Sequence, residues 1–120
     1  MLHPDLQTLA HEDELHRLID ESQRRPVLLF KHSRTCGTSM EALDELLDHL
    51  NDRSSDADSP RYAMVTVQTH RDVSNAVAKR LGVRHETPQA LLVRDGRVVW
   101  SASHFRVTAS AVEGALKAQS

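Results

Sequence analysis

The apolar residues of this chain recur at helical spacing in several stretches that are separated by polar or turn-forming residues. At this spacing one side of a helix is apolar and the other polar, which is the pattern of a helix packed on a core. Pro26 ends the first stretch, and Gly82 provides a left-handed stop for the third. The predicted helices cover 13–23, 40–50, 73–81 and the residues that follow the capping residue Thr108.

Four short apolar runs predict β-strands. Residues 27–30 (VLLF) are continuously apolar, which is typical of a strand covered on both faces, and residues 62–67 are a second candidate. Residues 90–93 and 98–100 flank Asp95-Gly96, a dipeptide that strongly predicts a two-residue hairpin turn. The runs therefore predict two strands separated by a helix, followed by an antiparallel hairpin.

The order of these elements predicts the fold class: helix, strand, helix, strand, helix, hairpin, helix. A strand–helix–strand unit is parallel with a right-handed crossover, whereas the hairpin adds an antiparallel pair. The expected architecture is α/β, a mixed four-stranded sheet with helices on both faces, as in the thioredoxin-like fold. We expect residues 13–120 to form this single domain after a loose lead-in at 1–12, with an exposed loop at 51–60.

Composition and charge exclude several classes of function. A chain of 120 residues with 39% hydrophobic and 27% charged residues can form one globular domain without a metal or disulfide. A net charge of −2 argues against a nucleic-acid partner, and apolar runs such as 27–30, none longer than four residues, are too short to span a membrane. The single cysteine fits a reducing compartment and no secretory signal is expected, so we predict a cytoplasmic protein. The eight histidines form no pair with clear metal-ligand spacing, so no metal site is expected.

Cys36 is the main candidate for chemistry. A lone cysteine is usually a small buried hydrophobe, but this one follows a polar segment at the carboxyl end of a predicted central strand. It also stands at the first turn of the next helix, where unpaired N–H groups favour the thiolate, the reacting species. Lys31 and Arg34 can add positive potential, and Gly37 leaves space for a thiol adduct. His32 can stabilise the thiolate or move a proton, or it can simply bind water at the strand end.

Three segments of the chain carry a resemblance to a known family. Residues 82–98 look like the second half of a thioredoxin, in which a cis-proline precedes a strand and a glycine turn joins two antiparallel strands. Residues 36–39 (CGTS) are similar to the C-G-x-S site of monothiol glutaredoxins. A narrower resemblance, over about residues 10–118, is to the YtxJ-type monothiol bacilliredoxins of the bacillithiol system. It rests on the segments 30–33 (FKHS), 87–90 (TPQA) and 101–104 (SASH).

This resemblance implies a monothiol thiol–disulfide oxidoreductase with Cys36 as its nucleophile. It implies a cis Thr87–Pro88 bond beside the cysteine, although composition alone predicts a trans bond at a proline that starts a strand. Ser39 stands where dithiol redoxins have their resolving cysteine, so no intramolecular disulfide forms. The candidate substrate-binding residues are Thr35, Gly37, Ser39, Thr87 and Pro88, and the candidate thiolate stabilisers are His32 and Arg34.

The implied reaction moves a low-molecular-weight thiol from the mixed disulfide of a client protein onto Cys36. No bound cofactor is required, because the small thiol is a co-substrate, and the expected partners are client proteins and that thiol. The chain reads Trp100-Ser101-Ala102-Ser103 where glutaredoxins have a glycine pair. This departure favours bacillithiol or another small thiol over glutathione.

Two other functions are also compatible with the sequence. A glutaredoxin-like iron–sulfur carrier would need two chains and two external thiols to supply four ligands, and the absent glycine pair disfavours it. A redox-inactive thioredoxin-like interaction module is the second alternative. Among the remaining residues, His104 is a further candidate at the same sheet edge, and Trp100 is expected to pack in the core or at its edge.

Overall fold

A computed structural model describes residues 2–53 and 59–119 of the chain. These residues form five strands, four α-helices and one short 3-10 helix. In chain order the elements are β1 (Leu6–Thr8), α1 (Glu12–Glu21), β2 (Val27–His32), α2 (Gly37–Asn51), β3 (Arg61–Thr66), α3 (Arg71–Leu81), β4 (Gln89–Arg94), β5 (Arg97–Ser103), the 3-10 helix His104–Arg106, and α4 (Ala109–Ala118).

The strands form one mixed sheet in the order β1-β3-β2-β4-β5, with β2 at its centre. Strand β2 runs parallel to β3 and antiparallel to β4, and all six of its residues are buried. The carboxyl ends of β2 and β3 and the amino end of β4 therefore meet at one edge of the sheet. Side chains that follow β2 and β3 and precede β4 are brought together there.

The prediction of four strands was wrong, because the sheet has a fifth strand. Residues Leu6–Thr8, within the expected loose lead-in at 1–12, form β1 and pair in parallel with β3. The Leu9 N–H continues this pairing by donating to the Met64 carbonyl at 2.8 Å. The strand has three residues, of which only Leu6 is buried. Such a short strand shows no alternation of apolar and polar residues from which it could be predicted.

Two apolar layers cover the two faces of the sheet, as the predicted helix stripes require. Leu28 and Phe30 of β2 pack with helices α2 and α4 on one face. Val27 and Leu29 pack with α1 and α3 on the other. Successive side chains of a strand point to opposite faces, so a continuous apolar run supplies both layers. None of the helices in the described residues has the length and apolar content needed to span a bilayer.

Three local sequence signals have the structural effect expected of them. Gly82 ends α3 in the left-handed conformation with φ 64°. Asp95 and Gly96 both have positive φ, 56° and 76°, as a two-residue hairpin turn of this type requires. Thr108 caps α4 by accepting a hydrogen bond from the Ala111 N–H at 3.1 Å. The expected loop at 51–60 lies partly outside the described residues, at 54–58.

Two glycine substitutions should change stability in opposite directions. Neither an added Cβ at Gly82 nor one at Gly114 meets an atom within 4 Å, so backbone conformation decides both outcomes. Gly82→Ala should lower the free energy of unfolding by about 1–2 kcal/mol, because alanine is strained in the left-handed region. Gly114→Ala, within helix α4, should raise it by roughly 0.5–1 kcal/mol. Urea denaturation of both variants tests this, and a destabilised Gly114→Ala would contradict it.

Candidate active site

Cys36 is the N-cap residue of helix α2, with extended backbone angles of φ −108° and ψ 120°. It follows the end of β2 by four residues and is partly exposed. Its carbonyl accepts the Met40 N–H at 3.1 Å, which is the first hydrogen bond of the helix. The first N–H groups of a helix have no partner within it and carry partial positive charge. Cys36 therefore lies at the positive end of helix α2, where reagents have access to it.

Ser39 ties the end of β2 to the first turn of α2. It is fully buried, and its hydroxyl oxygen accepts the Ser33 N–H at 2.9 Å. The same hydroxyl is hydrogen-bonded to His32 Nδ1 at 2.8 Å. The structure thus gives Ser39, a predicted substrate-binding residue, two partners inside the protein.

His32 is buried at the end of β2, and its ring stacks on Phe30 with centroids 5.9 Å apart. Burial lowers the pKa of His32, and the positive charge of Arg34 lowers it further. Both effects disfavour the imidazolium form. The geometry therefore favours a neutral His32 that orients Ser39 over a charged His32 that stabilises the thiolate.

Gln68, which sequence reasoning did not select, contacts the segment just before Cys36. Its Oε1 accepts the Arg34 N–H at 3.0 Å. Its Nε2 donates to the Ser33 hydroxyl at 2.8 Å and, at 3.4 Å, to the Thr35 hydroxyl. The available signal was its position two residues beyond β3, because the carboxyl ends of parallel strands share an edge.

The Thr87–Pro88 bond is cis, as the resemblance implied. Pro88 is buried, and its carbonyl accepts the His104 N–H at 2.9 Å. Lys31 pairs with Gln89 across β2 and β4, so the next position of this antiparallel register places Pro88 beside His32. This arrangement brings the proline to the sheet edge from which Cys36 follows, and contact between Pro88 and the sulfur stays a prediction.

Lys31 does not direct its charge towards Cys36, as the sequence had suggested. It is fully buried, and its Nζ donates to His85 Nδ1 at 2.8 Å. Since His32 and Lys31 are successive strand residues, their side chains leave opposite faces of the sheet. Burial lowers the pKa of Lys31 to about 8. Lys31 therefore anchors the loop before Pro88, together with Gln89, whose Nε2 donates to the Arg84 carbonyl at 3.0 Å.

The other predicted residues lie around this centre. Arg34, Thr35 and Gly37 are exposed at the rim, and open space surrounds the position of a Cβ at Gly37. His104 is exposed, with its Nε2 3.9 Å from the Glu86 carboxylate. Trp100 packs against the core layer of α2 and α4, which confirms its expected packing role. In residues 2–53 and 59–119, no three His, Cys, Asp or Glu side chains group in a way that could hold a metal ion.

Comparison with solved structures identifies the class of protein. A protein assigned as an oxidoreductase with a thioredoxin fold is 31% identical and superposes with a TM-score of 0.81 over 95% of this chain and 96% of its own. Mitochondrial thioredoxin 3 of Saccharomyces cerevisiae is 16% identical, with a TM-score of 0.72 over 98% of this chain and 99% of its own. Thioredoxin of Fasciola hepatica is 15% identical, with a TM-score of 0.68 over 95% and 99%. The chain therefore has the thioredoxin fold.

The sequence profile of the monothiol bacilliredoxin BrxC family matches residues 7–112, nearly the whole chain. The protein belongs to this family of thiol–disulfide oxidoreductases. The family assignment confirms the resemblance that the cysteine, proline and Ser-His segments indicated.

Ser39→Ala should destabilise the protein, because it leaves the buried Ser33 N–H and the His32 ring without their partner. The expected loss of unfolding free energy is about 1–3 kcal/mol. Ser74→Ala is the matched control, since Ser74 is also fully buried but its hydroxyl has no hydrogen-bond partner among the described residues. We expect this control to be neutral or stabilising in urea denaturation. Equal losses in the two variants would show that the Ser39 contacts contribute nothing.

Lys31→Met should remove a pH dependence of stability. The unfolded chain keeps the Lys31 proton up to a pKa of 10.5, whereas the folded protein releases it near pH 8, so unfolding stability should rise between these values. The rise approaches about 3 kcal/mol when the whole interval is crossed.

The measurement is urea denaturation of wild type, Lys31→Met and the exposed-lysine control Lys79→Met over this pH range. Tyr62, whose pKa burial raises to about 12, titrates equally in all three and cancels in the differences. Wild type and Lys79→Met should gain stability relative to Lys31→Met as the pH rises. Parallel curves for all three proteins would contradict a desolvated Lys31 ammonium.

Proposed function

We propose that this protein removes bacillithiol, or a closely similar small thiol, from mixed disulfides of client proteins through Cys36. The observation that carries the proposal is the placement of the only cysteine of the chain at a helix N-terminus, partly exposed. Membership in the monothiol bacilliredoxin family supports bacillithiol as the small thiol.

The first step is an exchange in which the Cys36 thiolate attacks the small-thiol sulfur of the client mixed disulfide. A bond forms between Cys36 Sγ and that sulfur, and the client sulfur leaves with the electron pair of the broken disulfide as a thiolate. The client is reduced, and Cys36 is oxidised to a mixed disulfide. The partial positive charge of the helix N-terminus lies beside Cys36 in this step.

The second step needs a thiol from outside the chain. An attacking small-thiol thiolate, or a redoxin partner, bonds to the small-thiol sulfur and releases Cys36 as a thiolate. Ser39 does not replace this external thiol. Its hydroxyl is hydrogen-bonded to His32 and to the Ser33 N–H, and a hydroxyl is far less acidic than a thiol. We therefore expect the adduct on Cys36 to persist until an external thiol arrives.

The substrate groove in this proposal has two sides. Thr35 and Gly37 are exposed on either side of Cys36, where a client segment and the small thiol have access. Thr87 and Pro88 form the opposite side, with Thr87 offering backbone groups to an extended client segment. Arg34 supplies positive charge at the rim, and a thiol-rich, reducing compartment such as the cytoplasm suits a chain with one free cysteine.

The test is intact mass spectrometry of the reduced protein after separate incubation with oxidised bacillithiol and oxidised glutathione. We expect one bacillithiol adduct, on Cys36, to form faster than the glutathione adduct. Cys36→Ser should abolish removal of bacillithiol from a model client. Ser39→Ala should slow it only several-fold, which corresponds to the free energy of about one hydrogen bond.

Three results would contradict the proposal. Retained activity in Cys36→Ser would remove the nucleophile. An unreactive wild-type Cys36 would favour a redox-inactive interaction module. A brown protein after purification without oxygen would favour an iron–sulfur carrier.

A further inference from the structure

We propose that Gln68 is a positioning residue, which braces the segment Ser33–Thr35 from the loop after β3 and thereby fixes the direction of the Cys36 sulfur. The inference rests on the proposed function of Cys36 and adds to it a residue outside the C-G-x-S motif. Gln68 lies far from Cys36 in sequence and in a different loop.

The backbone around Gln68 is itself held in place. The Val67 N–H donates to the His32 carbonyl at 2.9 Å, which extends the parallel pairing of β3 and β2 to the residue before Gln68. The His70 N–H donates to the Thr66 carbonyl at 3.0 Å and closes a turn that contains Gln68. The side chain therefore starts from a fixed point beside the end of β2.

The Gln68 amide then uses both of its ends on three consecutive residues. Arg34 N–H is only a donor, so the amide oxygen must face it, as the 3.0 Å contact from Oε1 shows. This orientation turns Nε2 towards the hydroxyls of Ser33 and Thr35, at 2.8 and 3.4 Å. Those two hydroxyls are also 3.5 Å from each other, so the three side chains form a closed group.

The segment that Gln68 contacts has few other supports. Arg34 and Thr35 are exposed, and the Cys36 N–H reaches the Ser33 carbonyl at 3.5 Å, the long end of hydrogen-bond geometry. Ser39 holds Ser33 at the start of the segment. An attacking sulfur must line up with the disulfide that it breaks, so freedom in this segment lowers the fraction of productive encounters. A brace at Arg34 and Thr35 restricts that freedom immediately before the nucleophile.

The test compares Gln68→Ala, Gln68→Asn and Gln68→Glu with wild type. Gln23→Ala is the matched control, because Gln23 is another exposed glutamine and lies near the Asp95-Gly96 turn at the opposite end of the sheet. The rate measurement is release of bacillithiol from a model client, with kcat and KM separated. Alkylation of Cys36 by iodoacetamide, which needs no alignment with a disulfide, and hydrogen exchange of the Arg34 amide are measured in parallel.

Gln68→Ala should lower kcat about tenfold, the effect of losing one to two neutral hydrogen bonds, with KM and the alkylation rate within about twofold. Its Arg34 amide should exchange faster, while the melting temperature stays close to that of Gln23→Ala. Gln68→Asn, shorter by one methylene, should behave like Gln68→Ala. Gln68→Glu keeps an acceptor for Arg34, and its carboxylate can also accept from the Ser33 and Thr35 hydroxyls, so it should retain Arg34 protection. Its added negative charge disfavours the attacking thiolate, so it should lower kcat and slow alkylation together, unlike Gln68→Ala.

Each contrary outcome has a distinct meaning. An unchanged kcat in Gln68→Ala with faster Arg34 exchange would overturn the positioning role. A higher KM at constant kcat would overturn it too, in favour of direct substrate contact. If wild-type Cys36 formed no adduct, the proposed function would fail, while Arg34 exchange would still report whether Gln68 braces the loop. Should Gln68→Ala fail to fold, the same comparison rests on Gln68→Glu and Gln68→Asn.

Discussion

The position of Cys36, the proposed nucleophile, depends on how the end of β2 is joined to the start of α2, and a buried hydroxyl connects the two. Ser39 binds both the last residue of the strand, His32, and the next one, Ser33. Buried polar groups must be paired, so a shift of the connecting segment that broke these hydrogen bonds would leave the Ser33 N–H and the His32 ring without a partner. The two hydrogen bonds therefore limit the movement of this segment. Cys36 takes its N-cap conformation between these two anchored points.

Successive side chains of β2 point to opposite faces of the sheet, so the hydrogen bonds that support the site lie on both faces. His32 points to the face of α2 and supports the Cys36 side of the proposed groove through its hydrogen bond with Ser39. Lys31 points to the other face and holds the loop before Pro88 through His85. Two successive residues of one buried strand thus support both sides of the proposed groove. Neither contact involves a carboxylate, so neither brings a negative charge into this end of the sheet.

Local sequence patterns were sufficient for most of the fold and for the position of Cys36 at the start of helix α2, because these depend on neighbours along the chain. The helical stripes, the stop at Gly82 and the turn at Asp95-Gly96 are of this kind. Strand β1 was missed since its stability comes from pairing with β3 and it is too short to show a pattern of its own. The contacts of Gln68 with Arg34 and of Lys31 with His85 were also missed, because they join residues that only the sheet topology brings together.

The site has a single thiol, and the buried side chain at position 39 also has a structural role that a second thiol would fill less well. The side chain at position 39, where dithiol redoxins carry their resolving cysteine, is buried and supplies the hydroxyl that joins β2 to α2. A thiol at this position would be a larger group and a weak acceptor, so it would support the Ser33 N–H and His32 less well. The resolving function and the structural function are therefore in competition at this position. In this chain the structural function occupies it, and in the proposed reaction an external thiol resolves the Cys36 adduct.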